Sequence, residues 1–264
     1  MSSLFSRLWA YRGFIYASVA REFSLRYRNS LLGASWTIIN PLAMMLVYTL
    51  VFSHVMQVRL PGTDTPFAYS IFLMCGLLPW GLFTDIVSRG PTLFIDQANL
   101  LKKIQFPKMA LVIIALINSL LNFFIIYALF IVFLIACGQF PGWMFFALVP
   151  ILILQIWIGA ALLVILALLN VFFRDVAPLT NIGLQFGFWL TPIVYAPSMI
   201  PLAYREYAFF NPLSALFDAY HQIVVYQHSP DWGRLVPALL LAMVLTVIAV
   251  RLFSRHSQEM VDEL

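Results

Sequence analysis

The sequence predicts an all-α polytopic membrane protein with six transmembrane helices, both termini inside, an N-terminal amphipathic interface helix and re-entrant helices on the outer side. Three observations predict it. The 264-residue chain is 62% hydrophobic and 10% charged, with mean hydropathy +0.93, whereas soluble domains are about a quarter charged. Its apolar runs are long and unbroken, and a bilayer core of ~30 Å takes about 20 such residues as helix. Unpaired backbone groups in lipid cost several kcal/mol each, so only helices or a closed barrel can span, and a barrel would alternate in short segments. The third observation is charge. With the N-terminus inside, twelve of the fifteen Lys and Arg residues fall on inner segments, and only Arg59, Arg205 and Arg234 fall outside. That bias sets the orientation.

Residues 1–34 form the first element, a cytoplasmic interface helix. Leu8, Tyr11, Ile15, Val19 and Phe23 recur at spacings of three and four among Arg7, Arg12, Arg21, Arg26 and Arg28. One apolar stripe beside arginines suits a helix lying in the headgroup plane, although a solvated charged face has the same spacing. No cleavable signal is expected, because the first apolar run long enough to span begins near Ser35.

The transmembrane domain is expected to cover residues 35–264, with spans at about 35–56, 67–87, 109–137, 143–169, 178–195 and 234–253. Gly138-Gln139-Phe140-Pro141-Gly142 reads as a tight turn, making spans three and four a helical hairpin. The outer segment 196–233 carries Pro197, Pro201, Pro212 and Pro230, and its apolar patches are too short to span. Re-entrant or interfacial helices fit it, packed on protein or lining a cavity.

Between spans two and three lies a polar island, the inner loop 88–108. Gly90-Pro91 breaks the preceding helix, and Ile95–Ile104 reads as a short helix with Lys102-Lys103 near its end, where cations are favoured. Pro107 opens the next helix at little cost. Such an island is either a connector or a handle for something outside the bilayer.

Chemistry is sparse. No GxxxxGK[ST] loop is present, so the chain does not cradle a nucleotide in that way. The spans hold few ionisable groups, which weighs against an ion-coupled carrier. Asp85 precedes Arg89 by four residues and reads as an i,i+4 ion pair. His54, His221, His228 and His256 show no ligand pairing, and Cys75 and Cys137 read as small buried hydrophobes. Asp218 and His221, three apart, read as a polar pair on a helix surface. Thin acid and histidine supply argues against a membrane-embedded glycosyl- or acyltransferase.

Aromatic residues are plentiful. Trp36, Trp143 and Trp80 are candidates for the membrane interfaces. Tyr48 and Phe52 are four apart in span one. Gln185, Trp189 and Pro192 fall at spacings of four and three in span five, with Tyr195 three further on. A helix kinked at Pro192 and lined by an amide, an indole and a phenol makes a sliding surface for sugars, although lipid packing accounts for the same spacing. Asn118 and Asn122, one turn apart, read as glue between helices.

Several segments together resemble a known family. They are Arg26-Tyr27-Arg28-Asn29-Ser30-Leu31-Leu32-Gly33-Ala34-Ser35-Trp36, Asn40-Pro41-Leu42, Gly76-Leu77-Leu78-Pro79-Trp80, Asn99 through Pro107, Phe173-Arg174-Asp175-Val176, Thr191 through Tyr195 and Asn211-Pro212-Leu213. In this order they resemble bacterial polysaccharide-export ABC permeases of the ABC-2 type, with the O-antigen branch nearest. The resemblance implies an inner-membrane homodimer working with two separate ATP-binding subunits, which would use ATP and Mg; no cofactor is expected on this chain, and no nucleic-acid partner. It implies a lipid-linked polysaccharide substrate, capsule or teichoic acid being the alternatives to O-antigen, with another lipid or a drug further off. It also implies a coupling helix at Asn99, Leu100, Leu101, Lys102, Lys103 and Ile104, whose leucines dock into the partner. The interface helix with Arg21, Arg26 and Arg28 meets membrane lipids, and Tyr48, Phe52, Gln185, Trp189 and Tyr195 become candidate channel-lining residues. No catalytic or metal residues are implied.

Overall fold

The computed structural model describes Trp9 and Leu60 together with residues 11–27, 35–51, 67–103, 107–196 and 211–264. Among them the chain is all-helical. We number the helices α1 (Arg12–Tyr27), α2 (Trp36–Tyr48), α3 (Ala68–Arg89), α4 (Ala98–Lys103), α5 (Lys108–Ala136), α6 (Leu148–Phe172), α7 (Val176–Leu190), α8 (Pro212–Val224), α9 (Val236–His256) and α10 (Glu259–Glu263). Short 3-10 turns, Gly142–Ala147 and Trp232–Leu235, lead into α6 and α9.

Among the described residues four helices are long and apolar enough to cross a membrane: Ala68–Arg89, Lys108–Ala136, Gly142–Phe172 and Trp232–His256. They fall on the expected spans two, three, four and six. A multi-pass membrane protein follows. The expected first and fifth spans correspond to shorter helices, the apolar Ile38–Val51 and the 15-residue α7. At 1.5 Å per residue α7 reaches only ~22 Å, short of a ~30 Å core. Its end is set by Pro192. The residue before a proline is pushed out of the helical region, and Thr191 is extended at φ −103°, ψ 133°. The helix therefore stops at Leu190 rather than running kinked to Tyr195.

The core is α3. It packs against α2, α5, α6, α7 and α8, while α9 lies along α6 and α1 lies along α5. Burial follows: α3 buries most of its length, from Ala68 to Val87, whereas α9 buries only Ala238, Ala242 and Ala249. The outward faces of α2, α7 and α9 present Leu42, Leu46, Ile182, Phe186, Leu240 and Val247. In a bilayer such faces meet acyl chains or another apolar surface.

The turn between α5 and α6 is built as the sequence expects. Gly138 at φ +68° and Gly142 at φ +60° occupy the left-handed region that glycine enters at no steric cost. Two other expectations change. Trp80 is not at an interface but buried, its ring against Phe83, Phe188 and Phe217, with Gly187 letting α7 close on it. His221 and Asp218 are not a surface pair. His221 is 1% exposed and stacks on Phe72 at 3.8 Å between ring centres, while Asp218 turns to Gln222 and Arg234.

Candidate functional site

Two regions matter: the segment joining α3 to α5, and the end of α7 with α8. The first begins where α3 ends. Gly90 sits so close to α6 that a Cβ there would lie 3.0 Å from the Leu163 carbonyl oxygen and 3.1 Å from Leu166 Cβ. Asn170, at the far end of α6, donates from Nδ2 to the Pro91 carbonyl at 2.8 Å and accepts from the Ala177 amide at 3.0 Å. One buried side chain thus holds both the start of the joining segment and the start of α7. A chain of turns follows, with Leu93 donating to Gly90 O and Asp96 to Thr92 O, and Phe94 is fully buried.

The helix expected over Ile95–Ile104 forms over Ala98–Lys103. Asn99 and Lys102 face outward, Leu100 is half-buried, and Leu101 is 7% exposed and belongs to the chain's own core. The C-terminal helix α10 packs against α4 and α6, and its Met260 belongs to the same buried cluster as Leu101. Lys103 lies at the helix end, and Ile104 lies outside the described residues.

Helix α1, expected to lie in the headgroup plane, forms with Tyr11, Ile15 and Val19 of the expected stripe turned toward the protein, and Leu8 lies outside the described residues. Val19 is buried, and Tyr11 and Ile15 pack on the core, while Tyr16 and Leu25 are exposed. Arg21 is exposed; Arg26 lies in the last turn of α1, and Arg28 is outside the described residues. Glu22, the one acid in residues 1–34, reaches Arg89 at 2.6 Å, and Arg89 also meets Asp85 at 3.3 Å. The i,i+4 pair expected from the sequence is thus present with a third member. Asn118 of α5 donates to the other Glu22 oxygen. Helix glue is its function here, as its position suggested.

In the second region the Gly-Leu-Leu-Pro-Trp motif explains itself. A Cβ on Gly76 would collide with the Ile193 carbonyl oxygen, so glycine lets the turn after α7 lie directly on α3. Gln155 of α6 donates to the Pro79 carbonyl at 2.6 Å and accepts from the Tyr220 hydroxyl at 2.8 Å. Cys75 meets the Tyr220 carbonyl. Asn211 caps α8 by accepting from the Leu213 amide at 3.0 Å, and its amide donates to Thr191 Oγ1 at 2.9 Å. His221 donates from Nε2 to the Phe72 carbonyl, which fixes its tautomer. Burial pushes the pKa of His221 down to about 3, against a partial upward pull from that hydrogen bond.

The candidate lining residues are dispersed. Gln185 and Trp189 share an outward face of α7, Trp189 at 62% exposure. Tyr195 is half-buried, its hydroxyl donating to the Trp189 carbonyl at 2.8 Å. Tyr48 stands at the end of α2, which packs on α3 and α5, whereas α7 packs on α3 and α6. Phe52 lies outside the described residues. Sequence reasoning missed Glu22, Gln155 and Asn170 as organising residues. The signals were there: a lone acid among arginines, and amides within or at the end of a long apolar run.

Comparison with known proteins adds the following. The profile of the ABC-2 type transporter family matches residues 14–225. The chain is 33% identical to the O-antigen export system permease protein RfbA of Myxococcus xanthus, over the full length of both. It is 27% identical to the protein of the same name from Klebsiella pneumoniae, over 89% of this chain and 88% of that one. Polysialic acid transport protein KpsM of Escherichia coli is 22% identical over 91% of this chain and 92% of its own.

Proposed function

The chain belongs to the ABC-2 type transporter family, and on that premise we propose that it is the permease subunit that carries lipid-linked O-antigen across the bacterial inner membrane, driven by a separate ATP-binding subunit. The observation that carries the substrate is the end-to-end match to an O-antigen export permease at 33% identity. Capsular polysaccharide is the second reading, and the match to a polysialic acid transport protein favours it.

In this reading α2 and α7 complete six spans with the four long helices, both termini are cytoplasmic, and two copies form the pore. The exposed apolar faces of α2, α7 and α9 support such a pairing, each face being too apolar for water. Two ATP-binding subunits sit beneath the pair and push on the segment between α3 and α5. The outward Asn99 and Lys102 of α4 meet the partner, Arg21, Arg26 and Arg28 meet anionic headgroups, and Gln185 and Trp189 meet the glycan. Undecaprenyl is the carrier lipid in this scheme. The motor's work is mechanical, so catalytic groups on this chain are not required.

The test is deletion. Cells lacking this chain should accumulate lipid-linked O-antigen on the cytoplasmic side, and purified chain should support glycan-dependent ATP hydrolysis only with its partner subunit. Accumulation of a capsular glycan instead transfers the assignment to the second reading, and normal O-antigen together with normal capsule at the surface overturns both.

A further inference from the structure

The clasp at the inner end of α3 connects elements that the transport cycle would have to move together. Arg89 is the last residue of α3 and adjoins Gly90-Pro91, the root of the joining segment. Its guanidinium takes Glu22 of α1 at 2.6 Å and Asp85 at 3.3 Å. Glu22 has no free oxygen, because Asn118 of α5 donates to the second one. Three elements therefore meet at two side chains: α1, the root of the joining segment, and α5.

Close beside this clasp α1 and the joining segment are separated by a cavity of about 270 Å³, lined by Ser18, Glu22, Arg89, Thr92 and Gln97 among others. Packed side chains transmit displacement because they resist compression, and a cavity does not. At this level the Glu22–Arg89 contact bridges the gap. The pair is too exposed, at 22% for Arg89 and 46% for Glu22, to add much to stability. Direction and register are what it supplies.

We propose that Glu22 and Arg89 are positioning residues that make α1 follow the joining segment, so that a push on α4 reaches the interface helix and α5 as one motion. This rests on the transport reading above. Two readouts in the reconstituted complex separate the ideas. The first is glycan exported per ATP hydrolysed; the second, independent of glycan, is the spin-label distance between exposed Tyr16 on α1 and exposed Asp96 on the joining segment.

Glu22→Gln should cut export per ATP roughly threefold to tenfold and broaden the Tyr16–Asp96 distance distribution. Arg89→Lys, which keeps the charge, should retain most of both. Because the coupling runs through the contact the two residues share, Glu22→Gln with Arg89→Gln should lose less than the product of the two single losses, Asp85 and Asn118 being the further partner of each. An unchanged distance distribution in Glu22→Gln, or multiplicative losses in the double variant, overturns the proposal. A variant that no longer assembles with the ATP-binding subunit also counts against it, since the role would then be assembly. If the distance responds as expected while wild-type complex exports no glycan, the clasp stands and the transport reading falls.

Discussion

The Tyr220 hydroxyl and the Gln155 side chain meet at 2.8 Å inside the bundle, both 1% exposed, and tie α8 to α6. Gln155 spends its amide nitrogen on the Pro79 carbonyl, in a stretch where Pro79 itself donates no hydrogen bond. Removing the phenol oxygen leaves a buried acceptor unpaired, which costs ~1–3 kcal/mol. Tyr220→Phe should therefore lower thermal stability in detergent. Gln155→Leu should lower it more, because it orphans two groups rather than one. An equal melting temperature for wild type and Gln155→Leu would remove the network from the account of stability.

His221 gives the fold a pH dependence of definite sign. Its folded pKa is pushed from the ordinary 6.5 down to about 3 by burial. Between those values the unfolded chain binds a proton that the folded chain refuses. Stability is complete above about pH 6.5 and is lost progressively as pH falls toward 3. His221→Gln removes this slope while giving up the stack on Phe72. The variant should be less stable than wild type at pH 7.5, with the gap narrowing on acidification. A gap independent of pH would show that His221 is not the titrating group.

Gly90→Ala tests the close approach of the joining segment to α6. The added carbon would meet the Leu163 carbonyl oxygen at 3.0 Å and Leu166 Cβ at 3.1 Å, both on a packed helix. Overpacking of this kind costs ~1–3 kcal/mol. The same substitution at Gly183, where a Cβ meets nothing within 4 Å, should have little effect and serves as the control. Comparable melting temperatures for the two variants would mean that α6 yields.

Long apolar runs made four spanning helices and the turn at Gly138–Gly142 legible, since length and glycine placement are local properties. The stripe of α1 was legible because a helix packed along one side has one apolar face. The burial of Trp80, His221 and Leu101 was not. In a membrane chain polarity no longer separates inside from outside, so an aromatic or an imidazole carries no mark of whether it faces lipid, water or protein. Those placements come from what packs on them: α8 on α3 for His221, α7 and α8 for Trp80, and, for Leu101, the shared cluster to which the neighbouring C-terminal helix contributes Met260. The early end of α7 was readable in Thr191-Pro192, but a proline inside an apolar run also reads as a kink.

The outward face of α4, proposed above to meet the partner, can be separated from its anchoring face by substitution. Leu101 is 7% exposed and Asn99 and Lys102 point outward, so the two kinds of change should fail differently. Leu101→Ala removes buried methyl groups, at a cost of ~2–5 kcal/mol where the site cannot collapse. It should lower the melting temperature of the chain even without a partner. Lys102→Glu together with Asn99→Asp leaves the core untouched and reverses the charge of the outward face. Charge reversal at an interface rim acts on encounter and affinity, so binding to the ATP-binding subunit should weaken about tenfold, ~1.4 kcal/mol, at an unchanged melting temperature. Partner affinity measured on purified subunits at two salt concentrations decides it, because a rim charge contributes less as salt screens it. If the outward pair can be reversed with affinity and export intact while Leu101→Ala abolishes binding at full stability, the partner reads α4 through its leucines, as the family resemblance implies.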